Sequence, residues 1–144
     1  MTRILVCGVV DDAVFVHNKL HEVNKIYGPV TSVIHGNHAH ALSWQQSVSR
    51  GFQPVKHLPV TEDFKDGLLA GERCRDRMFK GRPEYVIVFQ THGPGCRDKK
   101  VEKIVHRALR EGLVVLTYET APVARTPANQ PANQPAKRLR LVAA

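Results

Sequence analysis

The sequence predicts an α/β fold, a Rossmann-like three-layer α/β/α sandwich around a five-stranded parallel sheet, with strand order 3-2-1-4-5. Three observations predict it. Short apolar runs alternate with helical stretches five times along the chain, the pattern of a parallel sheet with helices on both faces. The run Tyr85-Val86-Ile87-Val88-Phe89 is unbroken, β-branched and aromatic, which fits a strand buried on both faces. Right-handed crossovers leave few topologies, and the order with strand one between strands two and four creates the winding switch of such sheets.

The elements follow in order. Arg3 to Gly8 is a first buried strand ending in glycine. Asp11 or Asp12 caps a helix from Ala13, with Val16, Leu20, Val23 and Tyr27 as its inner stripe and Gly28-Pro29 as its stop. Val30 to His35 is strand two, closed by Gly36-Asn37, and His38 to Arg50 is a helix ending at Gly51. Pro54 to Leu58 is a short third strand, and Thr61 to Asp66 is a polar connection. Gly67 to Lys80 reads as a helix with Leu68, Leu69, Met78 and Phe79 on its apolar side. Strand four is Tyr85 to Phe89. The Arg97–Arg110 helix carries Val101, Ile104, Val105, Ala108 and Leu109 on one stripe, and Leu113 to Tyr118 is strand five.

A chain of 144 residues is the size of one domain with its own core. The domain is expected over residues 1–120. Residues 121–144 hold the repeat T-P-A-N-Q-P-A-N-Q-P-A, which predicts a disordered tail with a basic end. The net charge of +8 divides evenly: residues 1–120 carry 17 Lys and Arg against 13 acids, and the tail adds Arg125, Lys137, Arg138 and Arg140. The folded part is only mildly basic, which weakens a nucleic-acid reading. No apolar run approaches the ~20 residues of a membrane span, so no membrane partner is expected. Cys7, Cys74 and Cys96 lie far apart without a C-x-x-C pair, which points to a reducing cytoplasm.

The chemistry is expected at the carboxyl ends of strands one, two and four. The turn His92-Gly93-Pro94-Gly95-Cys96 joins a buried strand to a helix. Glycines let backbone N–H groups crowd a ligand, and a helix N-terminus adds partial positive charge, so Gly93 and Gly95 are candidate phosphate contacts. The alternative is a tight βα turn that binds nothing. Gly8 forms the floor of the expected pocket; Gly36, Asn37, His38, His40, His92 and Cys96 form its sides, and Arg75 stands above. Arg75 belongs to a basic cluster with Arg73, Arg77, Lys80 and Arg82, most of it balanced by Glu72 and Asp76. Asp98 is the candidate catalytic carboxylate; as a residue of a first helical turn it also suits the helix dipole. His35, His38, His40 and His92 invite a metal reading, but no Cys or carboxylate lies at ligand spacing, so no metal or other cofactor is expected.

Taken together, these turns resemble the YspA-type, cpYpsA-related branch of the SLOG superfamily, Rossmann-like relatives of DprA and of the Lonely Guy phosphoribohydrolases. The resemblance spans Arg3 to Tyr118. Members open with a strand and G-S-R, where this chain has Gly8-Val9-Val10. Their second strand ends H-G-G-A-R-G-A-D, against His35-Gly36-Asn37-His38-Ala39-His40 here. An A-G-x-x-R-N-x-x-M segment is matched by Ala70-Gly71 and Met78, with Cys74-Arg75 at the Arg-Asn pair. The G-G-x-G-T turn corresponds to His92-Gly93-Pro94-Gly95-Cys96.

The resemblance implies binding or sensing of a nucleotide-derived small molecule. Two alternatives stay open. One is a phosphoribohydrolase-type enzyme using Asp98 against an oxocarbenium-like centre. The other is DprA-like single-stranded nucleic-acid binding through the Arg73–Arg82 cluster, with Trp44, Phe64 and Phe79 as stacking residues.

Overall fold

Five strands run side by side and parallel, in the order β3-β2-β1-β4-β5. They are β1 (Thr2–Cys7), β2 (Val30–His35), β3 (Lys56–Pro59), β4 (Tyr85–Thr91) and β5 (Val114–Thr120). The computed structural model describes residues 2–51, 53–91 and 98–120. The expected contacts His92, Gly93, Gly95 and Cys96, and the tail from Ala121, lie outside the described residues.

Successive strand residues point to opposite faces, and the core divides accordingly. On one face Ile4, Val6, Val33, Ile87 and Phe89 meet Val16, Leu20 and Val23 of α1 (Ala13–Tyr27) and Ala41 and Trp44 of α2 (Ala39–Arg50). On the other, Leu5, Cys7, Ile34, Val86 and Val88 meet Cys74, Met78 and Phe79 of α3 (Ala70–Lys80), with Val101, Ile104, Val105 and Ala108 of α4 (Lys99–Arg110). β1 sits at the centre, paired with β2 from Arg3↔Ser32 to Val6↔His35 and with β4 from Ile4↔Tyr85 to Cys7↔Val88. The chain therefore winds outward in both directions from β1, and the carboxyl ends of β1, β2 and β4 flank one crest.

The structure corrects several boundaries. β3 begins two residues later than expected, at Lys56, and ends at Pro59. The stretch read as the start of a long helix is a 3-10 turn over Phe64–Leu69, broken by Gly67 at φ 62°, ψ −130°. Leu68 and Leu69, expected on the buried side of that helix, are exposed at 105% and 46%. They belong to the 3-10 turn and so leave the α3 stripe. Leu109 is likewise 60% exposed, at the outer margin of the α4 stripe. A polar lock missed by periodicity holds the amino ends together. Asn24 and Gln53 exchange two side-chain hydrogen bonds of 3.1 and 2.8 Å, and Asn24 Oδ1 also accepts from the Val30 amide.

Candidate functional site

The crest is built by three strand-to-helix connections, and each helix arrives with its N-terminus already capped. Asp12 accepts from Phe15 N and caps α1. His38 Nδ1 accepts from Ala41 N at 3.2 Å and caps α2. Asp98 Oδ1 accepts from Val101 N at 2.9 Å and caps α4. Asp12 and Asp98 thus set a carboxylate against the positive helix ends, where an anion would otherwise be favoured. Asp98, the expected catalytic carboxylate, is in this geometry a helix cap. At α4 the Lys99 and Lys100 amides remain without intrahelical acceptors.

Gly8 turns the chain away from β1 with φ +85°. A Cβ there would lie 2.0 Å from the carbonyl oxygen of Phe89, so only glycine fits where β1 and β4 part. The Gly8 carbonyl accepts from His38 Nε2 at 2.7 Å, which ties the β1–α1 turn to the β2–α2 turn. The left-handed residue of the second turn is Asn37, at φ 63°, rather than the neighbouring Gly36. His38 is buried, with both ring nitrogens engaged. His40 is half-buried beside it, the ring centroids 6.2 Å apart.

Arg75 lies on the opposite helical layer, in the middle of α3. Its guanidinium folds back to 3.6 Å from the position a Cβ would take at Gly71, and Glu62 Oε2 stands 3.7 Å from the same point. Glu62 in turn holds Lys100 at 2.8 Å and raises its pKa, chiefly through that hydrogen bond. Arg75 and Glu62 therefore flank the niche that Gly71 leaves by lacking a Cβ, and Lys100 is tied to it through Glu62. Cys74 lies against it, its Sγ 3.7 Å from the Val60 carbonyl. Burial pushes the Cys74 thiol up, which keeps it protonated and unreactive. Two other arginines of the cluster are committed elsewhere. Arg73 and Arg77 pair with Asp66 at 3.9 and 3.3 Å.

Beyond the niche, an open groove of about 610 Å³ runs between the outer sides of α3 and α4. Arg75, Lys103, Arg107 and Arg110 line it together with Glu72, Asp76, Glu102 and Glu111, so it is electrically balanced. Arg107 is pinned there by Asp76 and Glu111 and lies 4.9 Å over the Phe79 ring.

No family model, curated protein or solved structure matches the chain.

The sequence-predicted residues Gly8, Gly36, Asn37, His38 and His40 gather at the β1–β2 side of the crest, and Arg75 stands at its α3–α4 side. Glu62, Gly71 and Lys100 were not singled out as site residues. Only the Ala70-Gly71 pair carried a signal for them. Of the three aromatics offered for base stacking, Trp44 and Phe79 are core residues at 0% and 7% exposure, and Phe64 alone is open. Among the described residues no group of three or more His, Cys, Asp or Glu is arranged to hold a metal ion. None of the described helices is long and apolar enough to cross a membrane.

Proposed function

We propose that the chain binds a nucleotide-derived anion at this crest, its phosphate lying in the Gly71 niche between Arg75 and Lys100. The observation that supports the reading most is Arg75 folded onto Gly71 beside the Glu62–Lys100 pair, near the winding reversal at β1. Sheets of this kind take ligands at such a reversal, and a residue without Cβ lets an anion approach backbone and guanidinium together. Because Asp12 and Asp98 occupy two helix ends, the affinity rests on side-chain cations more than on helix dipoles. Binding rather than hydrolysis is the reading supported, since Asp98 spends a carboxylate oxygen on Val101 N.

Isothermal calorimetry with AMP and ADP-ribose, set against adenosine, tests it. The nucleotides bind and adenosine does not. Arg75→Ala weakens binding by roughly 10- to 150-fold, the loss of about 1.5–3 kcal/mol for hydrogen bonds to a charged group. Lys80→Ala, an exposed position at the far end of α3, leaves it unchanged. Equal heats for nucleotide and nucleoside, or an Arg75→Ala protein that binds like wild type, would defeat the proposal.

A further inference from the structure

Six of the eight histidines form one continuous array through the α1–α2 layer. His57 stacks on His35 with centroids 4.7 Å apart. The Nδ1 of His35 accepts from the His38 amide at 2.8 Å. His38 meets His40 edge-on at 6.2 Å. His17 interacts electrostatically with both His40 and His21, and His21 Nδ1 accepts from Trp44 Nε1 at 3.2 Å. We propose that His35 and His38 form an acid-released latch, which pins the β2–α2 turn and caps α2 while both rings are neutral and lets them go when the rings take up protons.

The geometry fixes the protonation states. Each ring receives a backbone N–H on its Nδ1, His35 from His38 and His38 from Ala41. Each must therefore be neutral with its proton on Nε2. In His38 that proton goes to the Gly8 carbonyl. In His35, 1% exposed, it meets no acceptor, and the Nε2 of the stacked His57 is also buried without a partner. Adding a proton to either Nδ1 sets N–H against N–H. It would uncap α2 at His38 and free the His38 amide at His35.

The same tautomers argue against a metal, which would need the Nε2 lone pair of His35 or of His21. The surroundings carry little to offset a positive charge. The charged groups on the packed elements are Arg3 on β1, Asp11 and Asp12 in the β1–α1 turn, Lys19, Glu22 and Lys25 on α1, Arg50 on α2 and Lys56 on β3. Asp12 is spent on Phe15 N, and Lys19 and Glu22 pair with each other at 3.5 Å. Burial first and neighbouring imidazoles second lower the pKa of His17 and bring that of His35 down to about 4. Burial also lowers His38, against the opposing pull of its Gly8 bond. The latch is independent of what the crest binds.

Amide hydrogen exchange of the full chain, read by NMR as protection factors, tests it. A group whose pKa moves from 6.5 when released to about 4 when latched opens about 70-fold more readily at pH 4.5 than at pH 7.5. The His38 and Ala41 amides lose protection by at least that factor over this range, while Val88 in the central sheet keeps more of its own. His35→Asn offers Oδ1 in place of Nδ1 and does not titrate, so it removes most of the loss at His38. Imidazole ¹⁵N shifts on the wild type should show Nε2–H neutral rings for His35 and His38 at pH 7.5. Unchanged protection at pH 4.5, the opposite tautomer in either ring, or an undiminished loss in His35→Asn would overturn the latch.

Discussion

Replacing Gly8 by alanine should be among the most damaging single-methyl changes in this protein. The added Cβ would lie 2.0 Å from the Phe89 carbonyl oxygen and 3.0 Å from its carbon. Both are backbone atoms of β4, so no side chain can swing aside. Restoring ordinary contact takes more than about 1 Å of separation between β1 and β4, which strains the ladder at its last pair, Cys7↔Val88. Two ladder hydrogen bonds and the His38–Gly8 bond are then at risk, at about 1 kcal/mol each. The φ of +85° adds about 1–2 kcal/mol for any residue with a Cβ. The total is about 4–5 kcal/mol. Gly112 supplies the control, with φ +76° and nothing within 4 Å of its would-be Cβ, so Gly112→Ala should cost only about 1 kcal/mol. Urea unfolding of both variants, followed by the fluorescence of the single tryptophan, Trp44, gives the comparison. Equal losses in the two proteins would refute the steric argument and leave only the dihedral strain.

Asn24→Ala leaves the Val30 amide unpaired and takes two hydrogen bonds from Gln53, which keeps only its bond to the Val30 carbonyl, and should lower unfolding free energy by about 2 kcal/mol in the same assay. Acid should destabilise the fold through His35. Its folded pKa of about 4 lies below the unfolded 6.5, so the unfolded chain binds the proton first. Stability present above pH 6.5 is lost progressively down to pH 4, by about 3 kcal/mol from this group, and His35→Asn flattens that part of the urea-midpoint profile. Glu62→Gln removes the carboxylate that holds Lys100 in the niche and should tighten nucleotide binding by about 2- to 5-fold in calorimetry, the scale of an exposed ion pair.

The layers of this fold were legible because burial imposes a period. Val16, Leu20 and Val23 had to face inward on α1, and unbroken runs such as Tyr85–Phe89 had to be strands covered on both sides. The failures fall where local geometry outweighs period. Leu68 and Leu69 look helical and apolar, yet Gly67 breaks the backbone before α3 can take them in. The site was half legible for a similar reason. Gly8 announces a turn at the end of a strand, and His38 announces a polar residue before a helix, but no spacing rule says that one ring bonds the other's carbonyl across thirty residues. The Glu62–Lys100 pair joins a loop to a distant helix through tertiary packing alone.

A ¹⁵N-HSQC titration of the full chain with ADP-ribose tests the proposed binding most directly. Saturable shifts are expected at Gly8, Gly36 to His40, Gly71 to Arg75 and Asp98 to Lys100, with the outer groove at Lys103, Arg107 and Arg110 unmoved. Shifts confined to that outer groove, or none at millimolar ligand, would contradict it.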